Sequence, residues 1–242
     1  MHILEECVGS ATQCHYDYYS RVLSPETMSL KERIGSLPKP LLAGIIGPIV
    51  ALVCILLAIA ISPSFTWEGN ALSDLGHYTR TDIGSNPLVR AIIFNSGMIT
   101  AGVLTLYTTI AFIRELNDTI TRIGMLPFVS AELFLIGIGI FSENFNPIHF
   151  MVSVGFYASF PWAMWIIGIG FLRYKNLRLF SLVSIILPFI SLYLWLNAYG
   201  PAPFWSGVAI PEIVTALTAV VWVWMLIWLM IKGELNHITT RD

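Results

Sequence analysis

Residues 213–230 read IVTALTAVVWVWMLIWLM, eighteen positions without a charge. An apolar stretch of this length matches a helix crossing a hydrocarbon core about 30 Å thick, for which about 20 residues are needed. Outward from it, five more runs of the same kind lie at roughly 41–62, 88–113, 123–142, 148–172 and 179–197. Backbone polar groups in lipid have no water to bond, so a span must be a helix or part of a closed barrel. Runs such as Leu52–Ile61 (LVCILLAIAI) lack the alternation of a barrel strand. The expected fold is therefore all-α: a polytopic bundle of six transmembrane helices.

Composition agrees. Of 242 residues, 56% are hydrophobic and 12% charged, with a mean hydropathy of +0.73, far from a soluble domain. Residues 1–38 read as an N-terminal tail, 39–232 as the membrane domain with a long loop at 63–87, and 233–242 as a C-terminal tail. In the first tail, Ser24-Pro25-Glu26 predicts a helix start, with Ser as cap and Pro in the first turn, and Gly35 and Pro38 as stops. Net charge is −2 and no basic cluster points to nucleic acid. Cys7, Cys14 and Cys54 form neither a disulfide framework nor a zinc-finger spacing and are expected as reduced thiols. Glu5 and Glu6 stand where a signal peptide would carry its basic segment, so no signal peptide is expected.

Basic residues set the orientation. Arg21, Lys31, Arg33 and Lys39 precede the first run; Arg114 and Arg122, then Arg173, Lys175 and Arg178, then Lys232 and Arg241 fall on the same side. The other side holds Arg80 and Arg90. The positive-inside rule puts both termini in the cytoplasm of a multi-pass cell-membrane protein, with Trp67, Trp195 and Trp205 at the outer interface.

The outer side is rich in acids and histidine instead. The long loop, PSFTWEGNALSDLGHYTRTDIGSNP, carries Glu68, Asp74, His77 and Asp82. Ser142-Glu143-Asn144 ends the third run, Asn146-Pro147-Ile148-His149 opens the fourth, and Pro211-Glu212 lies near the start of the sixth. Pro87, Pro147 and Pro211 predict helix starts, with Asn86 and Asn146 as caps. Three positive helix ends would face one surface, with Arg90 and His149 one turn inside, a setting that suits phosphate or carboxylate. The plain alternative is that Pro simply marks where helices begin and that polar ends are solvated.

Glu132 is the deepest ionisable residue, near the middle of the third run. A carboxylate there is costly against lipid, so it is expected to face the bundle or a cavity, as a functional group or as a hydrogen-bonded link between helices. Glu143 lies eleven positions on, close to three turns, on the same stripe, with Ile136 and Gly139 between. His149 and Ser153 stand at i, i+4, with Tyr157 a turn further. Asp74, Arg90, Asn95, Glu132, Glu143, His149 and Ser153 are thus the expected border of one cavity, with the second, third and fourth spans as mutual neighbours.

Ser73-Asp74-Leu75-Gly76 followed by Ile93-Phe94-Asn95, with an acid ending span three and His149-Phe150-Met151-Val152-Ser153-Val154-Gly155-Phe156 opening span four, resembles the uncharacterised six-span family named domain of unknown function nine-nine-eight. The resemblance covers roughly 40–231. The same loop element and His149 resemble, more distantly, the Frag1/DRAM/Sfk1 membrane proteins, which implies a role connected with membrane lipids.

The functional reading that follows is lipid binding or handling at a polar cleft open to the extracytoplasmic side, with membrane lipids as partners. Three alternatives stay open. His77, His149 and Glu143 are usable zinc ligands for a metal-assisted intramembrane hydrolase, although no HExxH or HxxxH spacing exists and nothing resembles a nucleophile elbow around Ser73 or Ser153. Glu132 as a proton carrier gives an ion-coupled transporter. The last is a structural subunit of a homo- or hetero-oligomer in the membrane.

Overall fold

The computed structural model describes residues 37–239, apart from the side chain of His237. The expected tail helix after Ser24, and Cys7 and Cys14, lie outside the described residues. Six long helices follow in order: α1 (Lys39–Ala60), α2 (Pro87–Glu115), α3 (Thr119–Ile140), α4 (Ile148–Phe171), α5 (Arg178–Ala198) and α6 (Ala209–Ile231). All six are long and apolar enough to cross a membrane, and no strand occurs among the described residues. A short α7 (Asn236–Thr239) packs back within the C-terminal segment, where Leu235 and Ile238 are buried and the Asn117 N–H donates to the Ile238 carbonyl at 2.8 Å.

The helices form a ring in chain order. Each packs on the next, and α1 closes the ring against α6. The α2–α3 seam is tight because Gly139 lets two backbones approach; a Cβ there would stand 2.5 Å from the Asn95 carbonyl oxygen. At the α1–α2 seam a Cβ on Gly97 would stand 2.4 Å from Cys54 Cβ. Spans two and three, and three and four, are neighbours as expected. Helices α2 and α4 are not packed as a pair, because α3 stands between them.

Aromatic rings fill the end of the bundle nearer the termini. Trp222 of α6, fully buried, meets Phe128, Phe160 and Phe180 with centroids 5.5–5.7 Å apart, and its indole N–H donates to Ser184 Oγ at 2.7 Å. Large apolar residues such as Leu56, Met151 and Leu179 are exposed, as expected for helices whose solvent is hydrocarbon.

The helix starts differ from expectation in detail. Pro87 is in the first turn of α2 and Asn86 occupies the cap position, yet the Asn86 side chain makes no capping bond. Pro147, behind a cis Asn146–Pro147 bond, is itself the cap residue of α4. The Asn146 amide instead donates to the Glu143 carbonyl at 3.0 Å. The shared stripe from Glu132 to Glu143 also ends early, because α3 stops at Ile140 and Glu143 belongs to a separate 3-10 turn, Glu143–Phe145.

Candidate functional site

The long connection 61–86 does not extend into solvent. Its centre, Leu72–Gly76, is a 3-10 turn with Leu72, Asp74, Leu75 and Gly76 buried. Apolar anchors and a close backbone approach explain this. Leu75 is fully covered, and a Cβ on Gly76 would meet Asn95 Oδ1 at 2.6 Å. Polar side chains from two helices then fasten the turn. Arg90 of α2 donates to the carbonyls of Leu75, His77 and Arg80 at 3.3, 3.1 and 2.7 Å. Asn95 donates to the Gly76 carbonyl at 3.0 Å. Glu212 of α6 accepts from the Leu72 N–H at 2.5 Å.

Asp74 serves the turn from within. It accepts from Asn70 Nδ2 at 2.7 Å and the Ala71 N–H at 3.1 Å, and pairs with Arg80 at 2.5 Å. Its ion-pair partner is Arg80; Arg90 bonds the loop carbonyls. A second stitch joins the turn to the α3–α4 connection: Asn144 donates to His77 Nδ1 at 3.2 Å and accepts from the Tyr78 N–H at 3.0 Å.

Beneath this cover, a groove of about 560 Å³ runs between α4 and α5. Its upper end is polar, with Ser73, Glu143, Asn146, His149, Ser153 and Glu212; its lower end passes Ala158, Pro161, Trp162, Trp165 and Leu192. Burial pushes the Glu143 carboxyl up to about 7; the Asp74 carboxyl beside it adds to the rise, and Arg80 opposes it. His149 donates from Nδ1 to the Phe141 carbonyl at 2.7 Å, which leaves Nε2 facing Ser153 Oγ at 3.3 Å.

A smaller cavity of about 100 Å³ occupies the centre of the ring. Its walls are apolar, with Phe94, Met98, Phe128 and Phe156 among them, and Glu132 lies on its lining. Glu132 is 3% exposed. Thr109 donates to Oε1 at 2.7 Å, while Oε2 has no partner. The groove and the central cavity share Ser73, Ser153, Tyr157 and Glu212 on their linings.

The structure therefore distributes the seven residues expected around one cavity. Glu143, His149 and Ser153 line the groove, and Glu132 and Ser153 the central cavity; Asp74, Arg90 and Asn95 line neither and hold the loop. Glu212 and Tyr157, which line both spaces, were outside the expected set. Glu212 had a signal in the sequence, an acid in the first turn of a span, but helix-end acids are commonly solvated. The proposed zinc ligands are not gathered: His77 bonds Asn144, His149 bonds a backbone carbonyl, and among the described residues no group of three or more His, Cys, Asp or Glu is placed to hold a metal ion.

Fold and site together define a six-helix membrane bundle with a lidded, carboxyl-lined groove. The chain belongs to the family DUF998, described as protein of unknown function, whose match covers residues 45–229. No curated protein and no solved structure matches the chain significantly.

Proposed function

We propose that this protein binds a membrane amphiphile in the groove between α4 and α5. The observation that carries this reading is the groove's polarity gradient. Carboxyl, imidazole and hydroxyl groups lie under the loop, and Ala158, Trp162 and Leu192 line the other end. A volume of about 560 Å³ lies within the usual range for ligand sites, roughly 300–1,000 Å³. Phe150 and Trp162 on its rim are 55% and 58% exposed, so a chain in the bilayer has a sideways route in. The basic residues Lys39, Arg114, Arg122, Arg173 and Lys175 lie at the end opposite the long loop, and this supports an extracytoplasmic headgroup end with cytoplasmic termini.

Native mass spectrometry of the detergent-purified protein tests the reading. Wild type is expected to retain a lipid-sized adduct, and Ala158→Trp, which fills the groove from a lipid-facing position, to lose it. Equal adducts in both, or none in wild type, would refute it.

A second reading rests on Ser153 and His149. A hydroxyl facing an imidazole whose other nitrogen is fixed by a backbone carbonyl has the arrangement of an activated nucleophile. It makes the protein an acyl hydrolase of its bound amphiphile. Fluorophosphonate labelling at Ser153 that disappears in His149→Gln supports it; an unlabelled Ser153 sets it aside.

A further inference from the structure

Arg90 and the three helix ends favour an anionic headgroup on sequence grounds, but the composition of the cavities points the other way. No Lys or Arg among the described residues lines the groove or the central cavity. The guanidinium of Arg90 is engaged with three loop carbonyls, and Arg80 with Asp74 and Asp82. Besides the phenols of Tyr157 and Tyr199, the ionisable groups that reach the two spaces are Glu132, Glu143, Glu212 and His149.

Glu212 stands at the junction of the two spaces and is 6% exposed. The Leu72 N–H occupies one of its oxygens. Aromatic rings line the same stretch of the groove. Tyr157 and Trp195 have centroids 4.8 Å apart, and Trp195 stacks on Tyr199 at 5.9 Å with planes 12° apart. Trp195 is held from behind, its indole N–H donating to Thr215 Oγ1 at 3.1 Å. An acid among several aromatic rings is a recurring recognition device for ammonium groups, and a seated ammonium favours the ionised form of the buried carboxyl. Further in, a second acceptor waits: Glu132 Oε2, on the cavity lining, buried and without a partner. A buried acceptor left unmatched is costly, and a donor on a ligand removes that cost.

We infer that the ligand is a lipophilic amine, its ammonium seated on Glu212 among Tyr157, Trp195 and Tyr199 and its apolar body in the groove. This rests on the groove reading above. The shared chemistry is an ammonium on an apolar chain, supplied either by an amine-headgroup lipid or by a free single-chain amine.

The test uses the full-length protein in detergent with tetradecylammonium, tetradecanoate, tetradecanol and lysophosphatidylethanolamine, each titrated and read by native mass spectrometry. The ammonium is expected to bind about tenfold more tightly than the fatty acid or the alcohol, the scale of one charge-assisted contact. Comparable binding of lysophosphatidylethanolamine marks a lipid source; binding of the free ammonium alone marks a soluble one. Glu212→Gln keeps an acceptor for the Leu72 N–H and is expected to bring ammonium and alcohol within about threefold of each other. Tyr199→Leu, at a residue 68% exposed, tests the ring contribution without the fold and is expected to lower ammonium binding several-fold and leave the alcohol unchanged. Equal binding of all probes, preference for the fatty acid, or an ammonium preference indifferent to both variants overturns the inference and leaves the groove standing. If no probe binds, the groove reading falls and this inference with it.

Discussion

Replacing Arg90 by methionine separates a loop clamp from a ligand group. The side chain is 1% exposed and makes three donor contacts to the 61–86 loop. A hydrogen bond from a charged donor contributes about 1.5–3 kcal/mol, and the long Nε contact falls at or below the low end. Two of the three carbonyls sit near the surface and regain water when the guanidinium leaves, so about 1 kcal/mol per contact is the safer figure. Nη1 is buried without a partner, and its removal returns about 1 kcal/mol. The net expected loss is about 2 kcal/mol for Arg90→Met, and roughly half that for Arg90→Lys, whose ammonium reaches fewer carbonyls at once. Equilibrium unfolding in mixed micelles measures the loss, and hydrogen exchange at the 72–77 amides localises it. A variant that keeps its stability and its amide protection but no longer binds ligand would refute the clamp and return Arg90 to the binding site.

Three further outcomes are expected. Glu143→Gln tests the raised carboxyl: a group whose folded value lies near 7 contributes stability below its ordinary value near 4.5, and that contribution is lost as pH rises through about 7. The variant is therefore expected to match wild type in thermal unfolding at about pH 4 and exceed it at about pH 8.5; the reverse order would show that Glu143 is held ionised. Gly139→Val places side-chain atoms against the Asn95 carbonyl and Ile99, and overpacking of a helix seam is expected to cost about 1–3 kcal/mol or more; an unchanged unfolding midpoint would mean the α2–α3 seam is looser than described. An impermeant thiol reagent applied outside cells is expected to label Thr81→Cys and miss Lys175→Cys, both exposed positions; the opposite pattern inverts the orientation.

The spans were legible because each long apolar run has one stable form in lipid. Their predicted ends fall within a few residues of the helices. The folding back of Ser73–Gly76 has a plain physical cause in the sequence, since Leu72 and Leu75 have to leave water and a 25-residue loop offers them the nearby helix ends. The groove was not. Helix α4 is apolar nearly all round, from Phe150 through Trp162 to Ile169, so its sequence does not say which face meets α5 and which meets lipid. The role of Arg90 was hidden for a different reason. Its partners are backbone carbonyls, and carbonyls carry no residue-type signal. Glu132 shows the intermediate case: depth and charge announced an inward-facing residue, while its partner Thr109 emerged from how α2 and α3 cross.

The closing contact of the ring joins the first helix to the last, and this gives the long loop a schedule during synthesis. Neighbours in sequence are neighbours in space, so α1 with α2, and α3 with α4, can pair as they emerge. The loop receives Arg90 and Asn95 as soon as α2 is in place. Its other fastenings come from the far end of the chain: the Gly207, Val208 and Ala209 N–H groups donate to the Glu68 and Asn70 carbonyls, and Glu212 takes the Leu72 N–H. Until residues 207–212 arrive, the loop is held on one side only and the carboxyl at the junction of the two cavities is missing. The chain thus completes the fastening of its loop and gains Glu212 in the same late step, and a chain truncated before α6 is expected to keep most helix pairs while lacking both.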